Sequence, residues 1–130
     1  MDCHIIPQVR SSLKAEISDI PGDKSISHRA VIITALSKSK VRFRNFLLSE
    51  DCLNTIKIFQ SMGVGIKTMR SPKELVVQGV GKKGLTCPKK ILDVGNSGTS
   101  LRLITGVLAG QNFNTTITGD ASIQKRPMKR

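Results

Sequence analysis

A chain of 130 residues with 21 Lys and Arg against 9 Asp and Glu, a net charge of +12 and a pI near 10.2, is suited to an anionic partner. Four Phe without Tyr or Trp leave few rings on which bases could stack, and the cations are dispersed along the chain instead of gathered in an arm, which argues against a nucleic-acid platform. Cys3, Cys52 and Cys87 are odd in number and too far apart for a Cys-x-x-Cys motif, Met1–His4 opens no signal peptide, and no apolar run approaches a membrane span, so reduced thiols in a cytoplasmic protein are expected.

In chain order, Cys3–Val9 and Leu13–Ile20 read as extended runs parted by Arg10, Ser11 and Ser12. A turn at Pro21–Lys24 leads into a helix expected over Ser25–Lys38, with Ile26, Ala30 and Ile33 on one face, Val31 and Ala35 beside them, and Lys38 and Lys40 at its last turn. Val41–Leu47 follows as a strand. Ser49 then caps a helix through Leu53, Ile56, Phe59 and Met62 that Gly63 stops. Val64–Met69 and Leu75–Val80 form a hairpin across Arg70–Lys73, and Gly81–Lys90 reads as a mobile surface loop. The order then restarts: strand Ile91–Val94, helix Asn96–Gly110 with Leu101, Ile104 and Leu108 on one face, strand Phe113–Thr118, and a further helix starting near Pro127.

Sliding the sequence over itself by 73 residues aligns Gly22 with Gly95, Asp23 with Asn96, Ser27 with Ser100 and Arg29 with Arg102. The matches fall at one strand-to-helix joint, so the chain reads as α/β, with two copies of a βαβαββ unit and the second cut short. At the first joint Asp23 can cap the helix, while Lys24, Ser25 and Arg29 offer an ammonium, a hydroxyl and a guanidinium beside free N–H groups, a setting for phosphate. On spacing alone the same turn is equally a capped surface helix, since the Gly-x-x-x-x-Gly-Lys-Ser phosphate loop is absent. At the second joint Gly98 lets a ligand reach the main chain, Asn96 is a candidate cap, and Thr99 and Arg102 share a face. Alternatively, Gly98 serves helix packing and Arg102 an ion pair. A third cluster, Gly119–Pro127, carries Arg126 just before Pro127, where a helix start would let its guanidinium lean over an anion or simply stand in solvent.

Pro21-Gly22-Asp23-Lys24-Ser25-Ile26-Ser27-His28-Arg29-Ala30, Gly95-Asn96-Ser97-Gly98-Thr99-Ser100-Leu101-Arg102-Leu103, and Gly119-Asp120 with Lys125-Arg126-Pro127 together resemble the N-terminal part of the 3-phosphoshikimate 1-carboxyvinyltransferase (EPSP synthase) family. The resemblance covers essentially the whole chain. It implies the enolpyruvyl transferase fold, two domains of βαβαββ units with substrates held between them. Residues 1–20 would belong to the domain that the C-terminal half completes, and residues 21–130 would be the first part of the other substrate-binding domain.

The resemblance further implies that Lys24, Ser25 and Arg29 bind shikimate 3-phosphate, that Lys24, Gly98 and Arg126 bind phosphoenolpyruvate, and that Asn96, Thr99 and Arg102 support the site. It implies small-molecule substrates without nucleic acid or membrane, no metal or organic cofactor, and a monomer when full-length. The acid and base of the reaction would lie beyond Arg130, with no catalytic residue in this stretch and His28 a neutral neighbour of the site. Two other readings differ in kind. The enolpyruvyl transferase of UDP-N-acetylglucosamine would require a reactive cysteine where Ala121 stands and a Lys-Asn-Ala pattern in the first motif. A basic nucleic-acid-binding module would require a contiguous basic surface.

Overall fold

The helix that opens the described residues starts just after Asp23, whose backbone is extended and whose carboxylate accepts the N–H of Ile26 at 2.7 Å. A computed structural model describes residues 20–69 and 73–127. Within them the order is α1 (Lys24–Ala35), β1 (Lys40–Phe43), α2 (Glu50–Ser61), β2 (Gly65–Met69), β3 (Glu74–Gln78), β4 (Leu92–Asp93), α3 (Gly98–Leu108), β5 (Ile117–Thr118) and α4 (Ala121–Gln124). The opening runs over Cys3–Val9 and Leu13–Ile20 lie outside the described residues except at Ile20, as do Arg70, Ser71 and Pro72 of the hairpin turn.

β3 is the middle strand of an antiparallel sheet ordered β1-β3-β2. The period of two sends Leu75 and Val77 to one face, fully buried beneath α1 and α2, and Val76 and Gln78 to the other. Val77 is paired with Val41 on one side and Ile66 on the other, so one apolar row crosses the sheet under the helices. β4 and β5 form a separate parallel pair, joined by α3 as a strand–helix–strand crossover. The α/β architecture and its restart after residue 90 therefore agree with the sequence, although β4 and β5 are each reduced to two residues. No helix among the described residues is long and apolar enough to cross a membrane.

α2 follows its sequence signals closely. Ser49 accepts from the Cys52 N–H, Ile56, Phe59 and Met62 are buried, and Gly63 takes a φ of +90° to end the helix. α1 departs from expectation on its buried face. Ile26 and Ile33 are 68% and 67% exposed, while Ser27, His28, Val31, Ile32, Thr34 and Ala35 turn inward. Partners decide this: the Ser27 hydroxyl receives the Leu47 N–H at 3.1 Å and the His28 ring meets Thr55, so polar residues are satisfied inside.

α1 also ends at Ala35, short of Lys38, because the chain leaving β3 docks on its last turn. The Val80 and Gly81 N–H groups take the carbonyls of Ala35 and Ser37 at 3.0 and 2.7 Å, so Lys38 and Lys40 fall outside the helix. β1 stops at Phe43 instead of Leu47 because Asn45 adopts a φ of +54°. The Gly81–Lys90 segment is more than a surface loop: Leu85 is buried in the core and the Thr86 N–H donates to the Met62 carbonyl at 2.9 Å. The last helix precedes Pro127 rather than starting there, since Asp120 caps Ala121–Gln124 by accepting the Ile123 N–H at 2.9 Å.

Ile32 and Ile33 are adjacent and chemically identical, yet only Ile32 is buried. Ile32→Ala should cost about 2–5 kcal/mol of unfolding free energy and Ile33→Ala less than about 0.5 kcal/mol. Urea denaturation of the two variants measures this, and equal losses would contradict the observed face of α1.

Candidate functional site

Three helix starts and the segment after α4 enclose a cleft of about 450 Å³. Lys24, the first residue of α1, faces Asp51 in the first turn of α2, and the two form an ion pair. The opposite wall is the start of α3, with Ser97, Gly98, Thr99 and, one turn on, Arg102. Asn96 and Arg126 complete the lining. Three cations thus face one carboxylate, and the N–H groups of helix first turns add partial positive charge.

Each charged group is held by a local contact. The Arg126 guanidinium donates to Asn96 Oδ1 at 3.4 Å, and the Asn96 amide donates in turn to Asp120 Oδ2 at 2.5 Å. Asp120 caps α4 with its other oxygen, so one carboxylate ties α4, the Asn96 turn and Arg126 together. Hydrogen bonds from the Ile123 N–H and then from Asn96 hold its carboxyl below the usual range. Arg102 donates to the Pro127 carbonyl at 3.5 Å. Gly98 lies directly under Arg126: a Cβ placed there would come 2.8 Å from Nη1. Ser97, not Asn96, is the N-cap of α3, accepting the Ser100 N–H at 3.1 Å. Asn96 is occupied instead with Asp120 and Arg126.

Of the residues singled out from the sequence, Lys24, Asn96, Gly98, Thr99, Arg102 and Arg126 line this one cleft. Ser25 and Arg29 do not. They stand on the exposed side of α1, where Arg29 Nη1 donates to the Ser25 carbonyl at 3.2 Å. Sequence reasoning passed over Asp51. The available signal was the Ser49 cap, which puts Asp51 at a helix start in the same repeat as Lys24. It also passed over the buried polar contacts of Thr55 and Ser100 behind the cleft.

His28 is 1% exposed, with Nδ1 at 2.9 Å from Thr55 Oγ1. Burial lowers its pKa from the ordinary 6.5; Asp51 opposes the shift, and Lys24 and Arg29 add to it. The ring is therefore a neutral group at pH 7. Among the described residues no cluster of His, Cys, Asp and Glu is arranged to hold a metal ion.

An α/β unit whose helix starts gather cations around a small cleft has the charge pattern that suits an anion. The sequence pattern of the family EPSP synthase (3-phosphoshikimate 1-carboxyvinyltransferase) matches residues 7–130, and the chain belongs to that family. It is 52% identical over 111 residues to the 3-phosphoshikimate 1-carboxyvinyltransferase of Alkaliphilus metalliredigens, covering 85% of this chain and 26% of that protein. It is 48% identical over all 130 residues to the protein of that name from Coxiella burnetii strain CbuG_Q212, of which it covers 29%. The solved EPSP synthase from Acinetobacter baumannii superposes with a TM-score of 0.80 at 45% identity, over 84% of this chain and 24% of that one. The chain thus spans between a quarter and a third of the length of these curated relatives.

The lowered pKa of His28 has a consequence for stability. As the pH falls through 6.5, an unfolded chain takes up a proton that the folded His28 refuses. The unfolded state then binds more protons, and stability declines as the pH is lowered from 6.5 toward the depressed folded value. Melting temperatures measured from pH 7 to pH 5 should fall less steeply in His28→Gln than in the wild type. Matching slopes would contradict a buried neutral ring.

Proposed function

We propose that this chain forms the N-terminal, anion-binding part of an enzyme that transfers the enolpyruvyl group of phosphoenolpyruvate to the 5-hydroxyl of shikimate 3-phosphate. The observation that carries the reading is the cleft that Lys24, Arg102 and Arg126 line together with Gly98, in a chain of the EPSP synthase family. In the reaction the hydroxyl oxygen bonds to C2 of phosphoenolpyruvate as C3 gains a proton. In that addition the proton released by the hydroxyl balances the one taken at C3. The tetrahedral intermediate then loses phosphate together with one proton from the C3 methyl, which re-forms the C2–C3 double bond of the enolpyruvyl group. Written so, it requires no metal or organic cofactor. It requires charge neutralisation of phosphates and carboxylates, together with an acid and a base.

The assignments follow the chemistry of each group. Lys24 and Arg126 bind the anionic oxygens of phosphoenolpyruvate, and Gly98 gives them room beside the main chain. The ligand takes the place of Asp51 as partner of Lys24. Ser25 and Arg29 extend the basic surface from Lys24 along α1, where the phosphate of shikimate 3-phosphate would lie. Asn96 and Thr99 support the loop, and Arg102 supplies further positive charge. Small-molecule substrates are the proposed partners, and the free thiols of Cys52 and Cys87 suit a reducing, cytoplasmic setting.

Among the described residues the one carboxylate lining the cleft is Asp51, held by Lys24, so the chain alone is proposed to bind without turnover. Two measurements test this. Titration of the labelled chain with phosphoenolpyruvate should shift the amides of Gly98 and Thr99, and Lys24→Ala should weaken binding about tenfold or more, the scale of losing one charge-assisted hydrogen bond. A phosphate-release assay with both substrates should show no turnover by the 130-residue chain, and release at a measurable rate would overturn the division of labour.

The contact between Gly98 and Arg126 gives a second test. Gly98→Ala puts a methyl where the guanidinium now rests, so Arg126 must swing away, while the helix start itself is not strained. Affinity for phosphoenolpyruvate should fall about tenfold with the melting temperature unchanged or raised. Unaltered affinity would remove Gly98 and Arg126 from the site.

A further inference from the structure

Four polar side chains, His28, Thr55, Ser100 and Ser97, are packed between α1, α2 and α3, each no more than 2% exposed, the first three behind the cleft and Ser97 at its wall. Enclosed hydroxyl groups have one proton each to give, so the direction of donation along the chain can be worked out. Ser97 Oγ accepts twice from Ser100, from its N–H at 3.1 Å and from its hydroxyl at 2.7 Å. The Ser100 proton is thereby used. Thr55 Oγ1 lies 2.8 Å from Ser100 Oγ and must be the donor there. Its other acceptor, the Asp51 carbonyl, is farther at 3.3 Å.

Thr55 Oγ1 also lies 2.9 Å from His28 Nδ1. With its proton committed to Ser100 it can only accept, so Nδ1 carries the hydrogen. The bare nitrogen of the neutral ring is then Nε2, and Nε2 is the buried atom that has no hydrogen-bond partner among the described residues. The opposite tautomer would bury an N–H without an acceptor, a loss of about 1–3 kcal/mol. Geometry and satisfaction thus agree on one direction: His28 to Thr55 to Ser100 to Ser97. At the end of this line the Ser97 hydroxyl still has its own proton, for which the described residues offer no acceptor, and Ser97 lines the cleft.

We infer that the Ser97 hydroxyl is a further anion-binding group of the site, giving its proton to an anionic oxygen of phosphoenolpyruvate, and that His28, Thr55 and Ser100 are positioning residues that fix the direction of that donation. The inference rests on the reading of the cleft given above. It differs from the charge contributions of Lys24 and Arg126 in being directional: a hydroxyl turned the wrong way would offer a lone pair to the anion instead of a proton.

The test uses the full chain, uniformly labelled with nitrogen-15. Correlation of the His28 ring nitrogens with their ring protons should show the hydrogen on Nδ1 and a bare Nε2. Phosphoenolpyruvate titrations should show affinity lowered about tenfold in Ser97→Ala, as for a hydrogen bond to a charged group. Because Ser97 also caps α3, Thr55→Val serves as the second variant. It leaves the cap intact, breaks the relay, and should weaken binding several-fold, whereas Thr55→Ser restores wild-type affinity. A hydrogen on Nε2, or wild-type affinity in both Ser97→Ala and Thr55→Val while Lys24→Ala abolishes binding, would overturn this inference and leave the cleft reading standing. Failure of the wild-type chain to bind phosphoenolpyruvate, or indifference of binding to Lys24→Ala, would overturn the cleft reading and this inference with it.

Discussion

The three long helices meet at one buried hydroxyl. Thr55 of α2 is fully enclosed, and its Oγ1 lies within hydrogen-bond distance of both His28 on α1 and Ser100 on α3. An apolar residue of similar volume would fill the same space, but it would leave the imidazole and the serine without partners where water does not reach. The polar junction therefore sets how far apart the helix starts can lie. It joins residues 72 positions apart, since His28 and Ser100 approach to 3.5 Å. The cleft in front of it inherits that spacing: its walls are Lys24, Asp51, Ser97 and Gly98, the first-turn and cap residues of the same three helices.

Capping and charge divide the work at these helix starts. Asp23, Ser49 and Ser97 each satisfy one N–H of their own helix. The remaining first-turn donors and the positive helix ends have the polarity to meet an anion, and three side-chain cations reinforce that polarity. Positive charge so concentrated would repel itself, and Asp51 and Asp120 offset it in different ways. Asp51 pairs directly with Lys24 and competes with any ligand for it. Asp120 acts at one remove, fixing Asn96 and through it Arg126, so its charge orders the site without occupying it.

Much of this was legible from residue types and spacing. Ser49, the run Ile56, Phe59, Met62 and the stop at Gly63 delimit α2 because capping, period and left-handed glycine all point the same way. The internal repeat located the two joints that converge on the cleft. What failed was decided by tertiary partners. Ile26 and Ile33 have the period of a buried face, yet Ser27 and His28 go inside because Leu47 and Thr55 are there to receive them. Asn96 and Ser97 are both good caps in isolation, and the choice fell to Ser97 because Asp120, 24 residues away, takes the Asn96 amide. The pairing of Lys24 with Asp51 depends on how α1 and α2 pack, which no local pattern encodes.

The misread face of α1 bears on the two predicted ligands that stand outside the cleft. Ile26 and Ile33 occupy the exposed side of the same helix that presents Ser25 and Arg29, so that side is apolar and basic at once. α1 thus carries two surfaces of different character a half-turn apart. The inner one is bound to α2, β3 and α3 through Val31, Ala35 and His28, and it fixes the position of Lys24 at the helix start. The outer one has apolar area without cover among the described residues, and an isoleucine side chain left in water forgoes about 1.5–3 kcal/mol of burial. A helix held rigidly from behind can present Arg29 at a fixed height above Lys24, five residues or about 7.5 Å along the axis. Two anionic groups of one ligand, or of two ligands side by side, can then be met in register by Lys24 and Arg29 without any rearrangement of the core.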